Sequence, residues 1–317
     1  MTQLGFTGLA NLGNTCYINS VLQIVSNIYE INDYIEENKN YDDSIIDHIM
    51  HKEWIELKKL MWTKNASISP GRFIQFNQSL FQNKDKIEFI GHKQGDAIEY
   101  LLFFLECIHN SYNKRDKTLK YDNIPFLKEY HKTDHSIITK LCLILCEYKY
   151  LNETSKKVET SKIEPQWTLE LSIPNKKKVD LMECFEYTFT NELLTGDNAW
   201  FNDKKNIKIN VIKTLKLYKT PTIFIINLKR WNNMNKNNTL IHLEEFIDLD
   251  LYSNDSQNKY ELFGIINHEG NMFGGHYYSF VKKYNKWYLF NDTQIREISF
   301  KSIIFKNNYC LFYRKIK

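Results

Sequence analysis

A thiol, an imidazole and a carboxamide stand at Cys16, His276 and Asn291 of the 317-residue sequence, each in a setting that can direct it to chemistry. Cys16 follows the stretch Gly13–Asn14–Thr15 and precedes apolar residues at Ile18, Val21, Leu22, Val25 and Ile28. That spacing is helical and puts the thiol in a first turn, where unpaired N–H groups and the helix dipole favour a thiolate. The glycine at 13 lets the backbone turn, and Asn14 or Thr15 can cap the helix. A buried structural thiol fits the same stretch, since free cysteine is among the most buried residue types. His276 follows two glycines and opens one strand, while Asn291 ends the next. A tight turn near residues 283–285 folds these strands into a hairpin. With the turn centred between Lys283 and Tyr284 the two side chains oppose each other; one residue later they become diagonal neighbours on one face. Asp292, by alternation, points to the other face. Together the set supplies a nucleophile (Cys16), a base that later protonates a leaving amine (His276) and an orienter of its tautomer (Asn291). The tetrahedral oxyanion needs donors, for which the Cys16 backbone N–H and the Asn11 amide are candidates. Asn11 can equally bond its own backbone as a turn residue.

The elements that must position these groups follow from periodicity. "KEWIELKKLMW" reads as a surface helix, and "GDAIEYLLFFLECIH" as a helix with Ile98, Leu101, Leu102, Leu105 and Ile108 on one stripe. Asp96 and Glu99 fall three apart in its first turn and lie side by side, where carboxylates complement the helix dipole. The first 130 or so residues read as mostly helical. From about Thr133 the pattern changes to strands: "WTLELSIP", closed by Pro174, then "TPTIFIINLKRW", "YELFGIINH", "HYYSFVKKY", "KWYLFND" and "NYCLFYRK". "NETSKKVETSKIEP" and "WNNMNKNNT" read as polar loops. Helices followed by a run of strands, without a repeat or a linker, indicate one α+β domain.

Composition narrows the function classes. With 43% hydrophobic and 25% charged residues the chain is a folded globular protein, and a net charge of +4 gives no footprint for nucleic acid or a membrane surface. The lysines of "PNKKKVD" and "DKKNIKINVIKTLK" read as a solvated face. "MTQLGF" lacks the marks of a signal peptide, and no run approaches the roughly 20 apolar residues of a membrane span. The six cysteines, irregularly spaced, are no disulfide framework. These features suggest an intracellular protein of the cytoplasm or nucleus, so Asn65 and Asn152 in Asn-x-Ser/Thr sites carry no glycosylation message.

At this point the motifs resemble a known family. "GLANLGNTCYINSVLQ" is similar to the cysteine box of the ubiquitin-specific proteases, and "YELFGIINHEGNMFGGHYYSFVKKYNKWYLFND" to their histidine box. "GHKQGDAIEYLLFFL" resembles the glutamine-aspartate box, "TPTIFIINLKRW" the core strand and "NYCLFYRK" the closing strand, all in the family's order. The resemblance decides the two readings of Cys16 for the nucleophile. It implies a papain-like α+β fold with a thumb (1–132), fingers (133–215) and a palm (216–317). It implies hydrolysis of the isopeptide or peptide bond after the C-terminal glycine of ubiquitin, with ubiquitin and ubiquitinated proteins as partners and a monomeric enzyme without a cofactor. Carried over by position, Cys16, His276 and Asn291 match the triad, Asn11 the oxyanion residue and Asp292 an acidic neighbour that assists. Asp96, Glu99, Gly275 and Tyr277 match substrate-binding positions, the two acids meeting ubiquitin's basic tail. Many members hold zinc with two Cys-x-x-Cys pairs; here Asn202 and Lys205 stand where the second pair falls, so no metal is expected. Cys142 and Cys146 then read as core strand residues. A protease for a ubiquitin-like modifier and a non-catalytic ubiquitin-binding module are the alternatives.

Overall fold

The computed structural model describes residues 3–39, 41–91, 93–113, 125–203, 205–232, 235–271 and 274–316. Apolar residues recurring every three or four positions build the N-terminal helices: α1 (Cys16–Val25), α2 (Tyr29–Glu37), α3 (His48–Thr63), α4 (Gly71–Asn83), α5 (Ala97–Ser111), α6 (Pro125–Thr133) and α7 (Ile137–Cys142). The mostly helical reading of this part therefore holds where residues are described; 114–124 lie outside them. All ten residues of α1 are buried, which makes it the central helix. Its polar side chains reach neighbouring carbonyls: Gln23 Nε2 donates to the Thr7 carbonyl at 2.8 Å, and Asn27 Nδ2, just past the helix, to that of Gln23 at 2.8 Å.

Apart from the short parallel pairing of Gly8–Leu9 with Ser67–Ile68, strands begin at Ile144, after α7, which starts with a Ser136–Thr139 capping box. Cys142 is thus the last residue of a helix and not, as expected, part of a strand; Cys146 is in one, and both are buried. A four-stranded sheet has the order β2 (Val158–Gln166), β1 (Ile144–Asn152), β5 (Val211–Lys219) and β4 (Glu192–Leu194). More than half of "NETSKKVETSKIEP", expected as loop, is strand, most of it β2. β2 is an edge strand with half-exposed polar side chains, so it lacks the apolar alternation that marks a buried strand. In "WNNMNKNNT", Trp231–Asn232 and Asn235–Lys236 pair as two short strands, and positions 233 and 234 lie outside the described residues.

The larger sheet runs β11 (Gln294–Ile298), β10 (Lys286–Asn291), β9 (Gly274–Lys283), β8 (Lys259–Asn271), β12 (Asn308–Lys315), β6 (Ile223–Leu228) and β3 (Leu169–Leu171), with β7 (Phe246–Asp248) beside β8. Its central strands are apolar on both faces because both faces are covered. Ile223, Ile225, Cys310 and Phe312 join the helical core around α1, while Phe224, Ile226, Leu311 and Tyr313 join a second core on the opposite face with Phe185 of α8 (Leu181–Phe189). Among the described residues no helix is long and apolar enough to cross a membrane.

Candidate active site

Cys16 is the first residue of α1, reached through a turn in which Gly13 and Asn14 take φ of 91° and 58°. Thr15 holds the N-cap position without a side-chain cap bond, contrary to the capping expected of it. Its Oγ1 instead accepts the Leu12 N–H at 2.9 Å, and its own N–H donates to Asn11 Oδ1 at 3.1 Å. The cysteine loop is therefore knitted from within, which leaves the first-turn N–H groups of α1 without intrahelical acceptors.

The other half of the site comes from the β9–β10 hairpin. Tyr284 and Asn285, with φ of 50° and 62°, form its two-residue turn, and Lys283 pairs with Lys286. This is the later of the two turn positions, and it makes His276 and Asn291 diagonal neighbours rather than direct opposites. His276 Nε2 donates to Asn291 Oδ1 at 2.6 Å, leaving Nδ1 for the contact with Cys16. The imidazole is lifted from its ordinary 6.5 to about 9, chiefly by its hydrogen bond to Cys16. Burial opposes the shift, while the Asn291 bond and the charges of Cys16 and Asp292 add to it. The ring is thus placed against the sulfur where it can exchange a proton with it.

Asp292 leaves the strand with φ of 49° and turns away from the ring. Its Oδ2 accepts from Asn11 Nδ2 at 3.1 Å and its Oδ1 from Asn19 Nδ2 at 2.8 Å. Its influence on His276 is through charge, and its hydrogen bonds fix Asn11. With Oδ1 on Thr15 and one amide hydrogen on Asp292, Asn11 keeps a second hydrogen for an oxyanion. Asn19 was legible as a polar residue inside an apolar stripe, but nothing local says where it points.

Asp96 and Glu99 differ from each other. Asp96 is the N-cap of α5 rather than a first-turn residue: its Oδ1 accepts the N–H groups of Ile98 and Glu99. Its Oδ2 accepts the hydroxyls of Tyr277 and Tyr309, at 3.1 and 2.7 Å. Tyr277 is buried, and its hydroxyl is committed to this network. Glu99 is exposed at the helix surface. Desolvation, then the charges of Asp96 and Glu88, hold its carboxyl above the ordinary value. Gly275 precedes His276 and is held by Gln94 through its N–H and C=O. A cleft of about 620 Å³ opens here, lined by Asn14, Gln94, Asp96, Trp231, His268 and Tyr277 among others. His268 was not singled out by sequence; burial and then Lys236 push it down to about 4, so it is neutral.

Among the described residues no three His, Cys, Asp or Glu side chains come together as metal ligands. At the position of the second zinc pair, Asn202 Oδ1 accepts the Lys205 N–H, and Lys205 Nζ pairs with Glu159 at 3.1 Å. An ammonium carries no lone pair for a metal, so this donor set does not fit a structural zinc.

The family model described as "Ubiquitin carboxyl-terminal hydrolase" matches residues 7–313. The chain is 28% identical to Ubiquitin carboxyl-terminal hydrolase 2 of Bos taurus over 338 residues, which cover 98% of the chain and 55% of that protein. It is 29% identical to the Gallus gallus protein of the same name, with 98% and 93% covered. The chain thus spans only about half the length of the bovine relative. Among solved structures, the SAGA DUB module of Ubp8, Sgf11, Sus1 and Sgf73 bound to monoubiquitin superposes with a TM-score of 0.79 at 22% identity, over 99% of this chain and 70% of that one. The same module bound to ubiquitin aldehyde gives 0.77 at 24%, over 99% and 70%. The fold is that of these papain-like α+β domains.

Proposed function

The chain belongs to the ubiquitin carboxyl-terminal hydrolase family, and from that premise we propose that it is a thiol protease that cleaves the bond after the C-terminal glycine of ubiquitin. The observation that carries this reading is the placement of His276, hydrogen-bonded to Cys16 on one side and to Asn291 on the other. Cys16 passes its thiol proton to His276 as its sulfur attacks the glycine carbonyl carbon. The carbonyl electron pair moves to oxygen, which the Cys16 N–H and the Asn11 amide receive. Collapse of the oxyanion breaks the C–N bond, and the leaving amine takes the imidazolium proton. His276 then deprotonates a water that attacks the thioester, and the second collapse returns the thiol. Asn291 keeps Nε2–H engaged throughout, so Nδ1 is the nitrogen that exchanges protons.

Glu99, held above its ordinary pKa partly by like charges, is suited to meet a basic tail, since a cation relieves that repulsion. Ubiquitin as the partner is supported by the ubiquitin forms bound in the related modules. The thumb, fingers and palm division goes with this reading, except that β3, within 133–215, pairs with β6 of the palm sheet.

Ubiquitin carrying a C-terminal electrophile should form one adduct, on Cys16, and Cys16→Ala should form none while still binding ubiquitin. Loss of the nucleophile removes many orders of magnitude in rate. A Cys16→Ala enzyme that kept a tenth of its turnover would break the triad assignment. Adduct formation only with a ubiquitin-like modifier, or ubiquitin binding without any adduct, would replace this reading by one of its two alternatives.

A further inference from the structure

The strand that delivers His276 begins with two glycines, which have no side chains to anchor it. On one edge β9 pairs with β8, Gly275 opposite Gly270. On the other edge its pairing with β10 extends only to Ser279 opposite Phe290, so no strand lies beside Gly275 there. Gln94 takes that place. Its Oε1 accepts the Gly275 N–H at 2.7 Å and its Nε2 donates to the Gly275 carbonyl at 2.8 Å. This is the two-way exchange of an antiparallel ladder pair, made by a side chain. The same Nε2 lies 3.3 Å from Oδ1 of Asn14, two residues before Cys16.

No other side chain can take over this role from within the strand. A Cβ on Gly275 would come to 2.3 Å from His268 Nε2 and 2.5 Å from the Glu269 carbonyl. Position 275 must therefore stay bare, and its backbone hydrogen bonds decide where the next residue sits. Two residues beyond Gln94, Asp96 binds the Tyr277 hydroxyl, so one short segment before α5 grips the positions on both sides of His276. Gln94 itself is exposed.

We propose that Gln94 is a positioning residue: its amide splints Gly275 to the Asn14 turn and so sets the approach of His276 to Cys16. The inference rests on the reading of Cys16 and His276 as the working pair, but not on the identity of the substrate. Gln94 acts only through these neighbours.

The test uses the full chain and alkylation of Cys16 by iodoacetamide, which needs no ubiquitin, with Cys16→Ser as the labelling control. A misplacement of about 1 Å in a reacting pair can cost about a hundredfold. Gln94→Ala should therefore lower the Cys16 alkylation rate at pH 7 by roughly tenfold to a hundredfold. The His276 titration followed by NMR should fall from near 9 toward 6.5 in the same variant, with little change in melting temperature. Gln94→Glu keeps the acceptor and loses the donor, so it should fall between; it also reads the effect if the alanine variant folds poorly. Alkylation and titration like wild type in Gln94→Glu and in folded Gln94→Ala would overturn the proposal. So would faster alkylation, which would mean that the amide merely occupies the strand edge. A wild-type enzyme whose Cys16 alkylates rapidly but which ignores ubiquitin would instead overturn the proposed substrate and leave this inference standing.

Discussion

At the scale of single residues, the site separates two neighbours that sequence places side by side. Asn291 bonds the His276 ring, whereas Asp292 bonds Asn11 and Asn19. Asn291→Ala should therefore lower both Cys16 alkylation and turnover, by roughly a hundredfold or more as for a disturbed general base. Asp292→Ala should do less damage to turnover and leave alkylation nearly intact, because it disturbs the oxyanion donor rather than the ring. Single-turnover kinetics beside alkylation rates check the order; the reverse order would make Asp292 the orienter. The raised His276 fixes a pH limit as well. Above about 9 the ring is neutral and cannot protonate a leaving amine, so amide hydrolysis should decline there while alkylation by the thiolate continues. The acidic pair divides in the same way. Asp96→Lys removes an N-cap and two tyrosine contacts, so it should melt markedly earlier, since hydrogen bonds to a charged group are worth about 1.5–3 kcal/mol each. Glu99→Lys should leave melting almost unchanged and lower kcat/KM on ubiquitin substrates about tenfold, as for loss of one charge-assisted contact. An arginine-to-glutamate change in the ubiquitin tail should restore part of that loss. Normal cleavage by Glu99→Lys would place tail recognition elsewhere.

At the scale of elements, polar side chains tie the tip of the four-stranded sheet, where among the described residues no cluster of metal-ligating side chains forms. Glu159 on edge strand β2 does part of that: its Oε1 accepts Asn152 Nδ2 at 3.2 Å and its Oε2 pairs with Lys205. One carboxylate thereby ties the β1–β2 turn to the turn between Trp200–Asn202 and Ile207–Ile209. Such surface bonds contribute little, about 0–1 kcal/mol for the ion pair, against the outright folding free energy of a structural zinc. The purified protein should therefore contain no stoichiometric zinc, and chelators should not shift its melting temperature. One zinc per chain by elemental analysis would contradict this and call for other ligands.

At the scale of the whole molecule, the hairpin that carries His276 and Asn291 is anchored to the helical part at its far end by Lys283. Its buried Nζ donates to Asn27 Oδ1 at 3.0 Å, just past the C-terminus of α1, and sits 3.9 Å from the Trp62 ring centre. Burial alone pushes this lysine from 10.5 down to about 7. A lysine whose folded pKa is depressed binds more protons unfolded than folded across that interval, so its contribution to stability rises with pH from about 7 to 10.5. Lys283→Met should remove that rise. Denaturant unfolding of both proteins at pH 7 and pH 9.5 measures it: the variant should lose stability relative to wild type as pH increases. A constant difference would mean that Lys283 stays charged in the fold.

The sequence by itself determined the local chemistry and its carriers. A cysteine at the head of a periodic apolar run must open a helix, and two apolar-alternating runs around Lys283–Asn285 must pair. With those elements fixed, His276 and Asn291 fall on one face under either turn position. What periodicity leaves open is where an irregular or polar group points, and tertiary structure decided each such case. The turn settled at Tyr284–Asn285, because both residues adopt the left-handed backbone that a two-residue hairpin requires. The polar β2 lost its strand signal to solvent, since an edge strand need not alternate. Asp292, Asp96 and Gln94 found partners 181 to 281 residues away in the chain. No spacing rule reaches across such distances: those bonds exist only because the core helix and the sheet pack closely enough for side chains at their ends to meet.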